Sequence, residues 1–128
     1  MKQTHFLLVT AIVGTVFGLM TLFFPDKAAE TFGLTANGEN TIVFGWLGAI
    51  TLCSAVLFFM VRNDNNSNTL KSVLIFIGAF NALTLIVDIV GISQGVLTIN
   101  KMIPGIILHS LMTIGSIFFL LRFKTSKN

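Results

Sequence analysis

Four apolar stretches, Phe6–Phe24, Thr41–Val61, Val73–Ile92 and Met102–Leu121, alternate along the chain with short polar segments. Each is close to the ~20 residues that cross a ~30 Å hydrocarbon core as a helix. Lipid offers no partner to a free N–H or C=O, so a spanning segment must satisfy its backbone internally. Runs of this length also lack the alternation of barrel strands. The ends carry further signals: Pro25 stops the first helix, Asn40 or Thr41 suits the N-cap of the second, and Pro104 fits the first turn of the fourth. The pattern predicts an all-α membrane protein, a four-transmembrane-helix antiparallel bundle forming one domain over residues 1–128.

The connections differ in character. Arg62-Asn63-Asp64-Asn65-Asn66-Ser67-Asn68-Thr69, between the second and third spans, is polar and low in complexity, as a solvated turn would be. In the first connection, Pro25-Asp26-Lys27-Ala28-Ala29-Glu30-Thr31-Phe32 predicts a short helix at the interface, with Asp26 in its first turn and Gly33 as its C-terminal cap. Phe32 and Leu34 would then dip into the interface, either as part of a plain connector or as a lid over an outward-facing pocket. The first span is read as retained, not as a cleaved leader. It is longer than the ~7–15 residues of a signal core, and Lys27 stands where a small residue is wanted.

Composition agrees with a lipid solvent: 54% hydrophobic residues, 10% charged and a mean hydropathy of +0.89 leave too few polar positions to clothe a soluble core. The net charge of +3 is spread singly at the ends of apolar runs, without the stripe that nucleic acid requires. Those charges set topology instead. Lys2, Arg62, Lys71, Arg122, Lys124 and Lys127 lie on one side and only Lys27 and Lys101 on the other, which places both termini in the cytoplasm of an inner (plasma) membrane. On that side the Asn65-Asn66-Ser67 triplet would not be glycosylated. Cys53 has no partner in the sequence and reads as a packing residue.

Within the spans, Asp88 is the only acid and His109 the only histidine expected inside the bilayer. An ionisable group at mid-helix costs roughly 2.5–3.5 kcal/mol on insertion scales, so Asp88 should face the bundle interior, water or a partner. Asn81 lies two turns away on the same face, with Thr84 between, and Gly91 and Gly95 continue the stripe outward. On the fourth span His109, Thr113 and Ser116 share a face. Two polar stripes on antiparallel neighbours could thus meet, with an Asp88–His109 contact, direct or through water. The alternative is a hydrated Asp88 near the headgroups and a His109 that only ties two helices together.

Gly14 and Gly18, with Gly45, Gly48, Ala49 and Ala55 on the second span, mark close helix approach. Trp46 suits an interfacial anchor or a pocket wall, and the Phe residues are filler or core. No cofactor or metal is implied. His5 and His109 lie near opposite surfaces, too far apart for a shared haem, and there is no Cys/His/acid cluster, phosphate loop or nucleophile elbow.

The Phe24-Pro25 break, Phe32-Gly33-Leu34, the glycine-rich Phe44-Gly45-Trp46-Leu47-Gly48-Ala49 opening of a span that ends in Arg62, and His109 on the last helix resemble small bacterial four-helix membrane proteins of the DoxX-like kind. The likeness covers most of the chain and implies a fold, but little chemistry. Small multidrug-resistance transporters would carry a Glu in the first span and fluoride channels an Arg, and neither is present. Three functions remain open. One is a non-catalytic protein that binds a small apolar molecule or lipid in its outer half, or that serves as a homo-oligomer or accessory subunit of a membrane complex. The others are a proton-coupled transporter or channel using Asp88 and His109, and a small membrane enzyme with that pair as acid and base.

Overall fold

The computed structural model describes residues 2–65 and 67–123; Lys124, Lys127 and Asn66 of the Asn-rich triplet lie outside that range. The chain is all-α, with α1 at Gln3–Phe23, α2 at Pro25–Thr31, α3 at Gly38–Val61, α4 at Asn68–Ser93 and α5 at Ile99–Leu121. The four long helices are each long and apolar enough to cross a membrane. They run antiparallel in sequence, so the start of α1, the α3–α4 turn and the end of α5 share one end, called proximal here. The short helix α2 and the α4–α5 turn lie at the other, distal end.

Three boundaries differ from the hydropathy reading, because hydropathy marks where lipid begins and not where the helix does. Helices α3 and α4 begin where a side chain accepts from their N-terminal N–H groups, and α5 begins after Thr98 without such a cap. The α3 cap is Asn37, whose side chain accepts from the Asn40 N–H at 2.8 Å, and not Asn40 or Thr41. Those two hold the first connection instead: the Asn40 amide donates to the Thr35 carbonyl and the Thr41 hydroxyl to Asp26. Helix α4 starts at Asn68, capped by Ser67, which accepts from the Leu70 N–H at 3.0 Å, so Asn68 and Thr69 belong to the helix. Helix α5 starts at Ile99, which puts Pro104 inside it, in the second turn. Without a proline N–H, the Asn100 carbonyl lacks its usual partner four residues on.

Two glycines in the left-handed region close helices. At Gly33 (φ 84°) the Leu34 N–H bonds the Ala29 carbonyl and the Gly33 N–H that of Glu30, a complete Schellman motif ending α2. Gly95 (φ 71°) ends α4 likewise, with Val96 N–H on the Gly91 carbonyl and Gly95 N–H on that of Ile92. Gly95 therefore terminates the helix and does not extend a polar stripe, because a left-handed residue cannot continue a right-handed helix.

The bundle is two tight pairs joined chiefly at the proximal end. Helix α1 packs along α3 and α4 along α5, with far sparser contact between the pairs. The α1–α3 seam depends on small residues. A β-carbon at Gly48 would stand 2.6 Å from the Leu22 backbone nitrogen, and one at Gly18 would stand 2.7 Å from the Leu52 side chain. Gly14 faces Ala55 across the same seam, whereas Gly45 has open space around it. The pairs meet in a core built from all four long helices, including Phe6, Leu7, Phe58, Leu74, Met112 and Phe119. Phe6 packs against the Phe119 ring, and a β-carbon on Gly115 would meet the Phe6 ring at 2.5 Å. At the distal end Ala28, Ala29 and Phe44 form a smaller cluster, with Phe32 stacked on Phe44 and edge-on to Phe17. Lys101 links the pairs there, donating to the Glu30 carbonyl.

The outward surface is apolar, with Val16, Met60, Leu83, Val87 and Leu111 exposed, as contact with lipid requires. Cys53 is also exposed, not packed: apolar character all round a span hides which face turns inward. The α1–α3 packing has a direct test. Gly48→Ala, which sets a methyl against backbone, should cost about 1–3 kcal/mol in detergent unfolding. Gly45→Ala, in open space, should leave the midpoint unchanged or raise it.

Candidate functional site

Most hydroxyls in the spans satisfy themselves. Thr15, Thr51, Ser54, Thr84 and Thr113 donate to the carbonyl four residues back, and Thr21 to those of Phe17 and Gly18. Such bonds neutralise the polar atom within its own helix and point to no ligand. Thr10 adds a contact from its hydroxyl to the Met112 sulfur, which ties α1 to α5. Three groups remain that are not settled within one helix: the Asn81–His109 pair, Asp88 and Ser116.

All lie on the α4–α5 seam. The buried residues of α4, Leu70, Val73, Leu74, Ile77, Asn81 and Asp88, recur at spacings of three, four and seven, which form one helix face. Gly78 on that face lets α5 come close, with its β-carbon position 3.2 Å from Ser116 Cβ. Counting outward from this contact along antiparallel helices sets His109 opposite about residue 85. It thus lies between Asn81, four residues to one side, and Asp88, three to the other.

His109 Nδ1 is 2.7 Å from Asn81 Oδ1. The direction of this bond follows from the other side of the amide. Asn81 Nδ2 donates to the Ile77 carbonyl at 2.7 Å, so Oδ1 is left as the acceptor and the imidazole Nδ1–H must donate to it. In the neutral ring that makes Nε2 a lone-pair acceptor, and no hydrogen bond among the described residues uses it.

Asp88 is 6% exposed, and its Oδ2 is buried without a hydrogen-bond partner. It lies within electrostatic reach of His109, yet no hydrogen bond or ion pair among the described residues joins them. The imidazole gives its Nδ1 donor to the Asn81 oxygen and none to the carboxyl. Ser116 is fully buried with its Oγ also unpartnered, and Thr84 and Thr113 flank the seam half-buried. The sequence stripes are thus brought together, but as an amide–imidazole pair beside an unpaired carboxyl.

Of the other positions singled out in the sequence, Gly14, Gly18 and Gly48 sit in the α1–α3 seam, Trp46 points outward at 68% exposure, and Phe32 packs on protein. Gly78, Gly115 and Met112 escaped the sequence reading; Gly78, a small residue three positions before Asn81 on the same face, was the detectable one. An apolar groove of about 200 Å³ lies elsewhere, on the α1–α3 surface between residues such as Leu8, Ile12, Ala55 and Phe59, and holds no free polar group. Among the described residues no three His, Cys, Asp or Glu side chains come together to hold a metal ion. Comparison of the chain with family models, characterised proteins and solved structures gave no match.

The amide–imidazole pair is measurable as a coupling. A double-mutant cycle of Asn81→Ala and His109→Ala should return about 0.6–1.7 kcal/mol in detergent unfolding. Ser116→Ala, which removes an unpaired buried hydroxyl, should be neutral or stabilising in the same assay.

Proposed function

We propose that this integral membrane protein is a non-catalytic binding protein of the plasma (inner) membrane, with both termini cytoplasmic, that holds a small apolar molecule or lipid in the outer half of the α4–α5 seam. The observation that carries this reading is Asp88, buried with Oδ2 unpartnered in the distal half of a bundle whose four-helix core lies proximally. A buried acceptor left unpaired is costly, and a ligand that supplies the missing donor offsets that cost. In this orientation α2 and the exposed Trp46 lie at the outer interface, and the likeness to DoxX-like proteins is part of the same proposal.

A transmembrane proton relay is less well supported. Beyond His109 the seam holds a single unpartnered hydroxyl, that of Ser116, and then runs into Leu70, Leu74, Ile77 and Phe119, which carry no group to continue a relay. An acid–base enzyme would want the carboxyl and imidazole engaged with each other or with one reacting centre. Here the imidazole is engaged with an amide.

Native mass spectrometry of protein extracted gently from its membrane should show one retained small molecule on the wild type and loss of it in Asp88→Leu. Equal occupancy in both, or none in either, would count against the reading. The orientation has its own check in a Cys53→Ser background. An impermeant maleimide applied to intact cells should label Thr35→Cys and reach Asn63→Cys only after permeabilisation.

A further inference from the structure

We propose that the molecule held in the α4–α5 seam is an amphiphilic amine: an apolar body whose small ammonium group is received between Asp88 and His109. This rests on the ligand-binding reading above and assigns the chemistry of the headgroup. Of the polar atoms the seam leaves free, the two toward its distal end are acceptors, and the Ser116 hydroxyl lies two turns deeper than His109. Asp88 Oδ2 is buried without a partner, and His109 Nε2 becomes an acceptor once Nδ1 donates to the Asn81 oxygen. The helix register puts the two residues about one turn apart on facing helices. A headgroup rich in donors satisfies both atoms, whereas a carboxylate or a carbonyl would confront acceptor with acceptor.

Charge favours a cation over a neutral donor. A carboxyl buried in hydrocarbon ionises only beside a positive partner, and among the described residues no Lys or Arg pairs with Asp88. Lys101, at the distal end of α5, is spent on the Glu30 carbonyl. Arg62 and Arg122 lie over Phe59 and Phe118 at the proximal end. Size favours ammonium over larger cations. Asp88 is only 6% exposed, so the seam closes around it and admits a group of one or two heavy atoms more readily than a choline or a guanidinium.

The test uses the full-length protein in phosphatidylcholine nanodiscs and three photoreactive dodecyl probes that differ only in headgroup: amine, alcohol and carboxylate. Saturable crosslinking is read by intact mass and mapped by peptide. The amine should label the α4–α5 segments at least about tenfold more than the carboxylate, with the alcohol between. Asp88→Asn should cut labelling by the amine at least about tenfold while changing that by the alcohol by less than about twofold. Equal seam labelling by amine and carboxylate on the wild type, a comparison that does not depend on any variant folding, overturns the headgroup assignment and leaves ligand binding standing. Undiminished amine labelling of Asp88→Asn also overturns the assignment. Failure of all three probes to label the seam overturns both.

Discussion

In hydrocarbon a polar group has only the protein for a partner, and the rest of this structure follows from that constraint. It makes the four long segments helices, since only a helix satisfies its backbone within one segment. It turns nearly every hydroxyl in the spans back on its own helix, as Thr15, Thr51, Thr84 and Thr113 do. It also sets apart the few groups that cannot be settled this way. An amide has two ends to satisfy, an imidazole two nitrogens, and a carboxyl more acceptor capacity than a single helix can meet. Asn81, His109 and Asp88 are those groups, and they share one seam.

Packing in the bundle is divided between two solutions. Where backbones must come close, as between α1 and α3, glycine removes the side chain altogether: Gly18 and Gly48 let the two helices meet backbone to backbone. Where the two pairs join, the contact is made by large side chains interlocking at the proximal end, with Phe6 seated over Gly115 and against Phe119. At the distal end the link between the pairs is lighter, the Lys101 contact with the α2 carbonyl. A bundle whose pairs are joined firmly at one end and lightly at the other separates more easily, pair from pair, at its distal end. That is where the carboxyl without a partner lies.

The polar seam and the apolar groove are separate features. The groove on α1 and α3 has the lining of a surface that accepts an acyl chain, with its Thr15 hydroxyl already bonded to Ala11. The seam has unsatisfied chemistry but little open space. Recognition of a small polar headgroup needs the second more than the first, because orientation and specificity in apolar sites come from a few placed polar atoms.

The sequence by itself determined the number of helices, their antiparallel order, the short helix after Pro25 and its glycine cap, because each depends on local chemistry: span length against bilayer thickness, proline stops and left-handed glycine. It also determined which residues were worth watching, since a carboxyl and an imidazole in hydrocarbon are conspicuous from composition alone. Tertiary structure alone decided partners. Spans that are apolar all round carry almost no record of which face turns inward, so Cys53 proved exposed and Gly45 stands free where Gly48 is tightly packed. His109 was within reach of Asp88 and of Asn81, and the register set by Gly78 against Ser116, together with the commitment of the Asn81 amide to Ile77, assigned its donor to Asn81. Helix register depends on side-chain shape across an interface, and that information is not ordered along the chain.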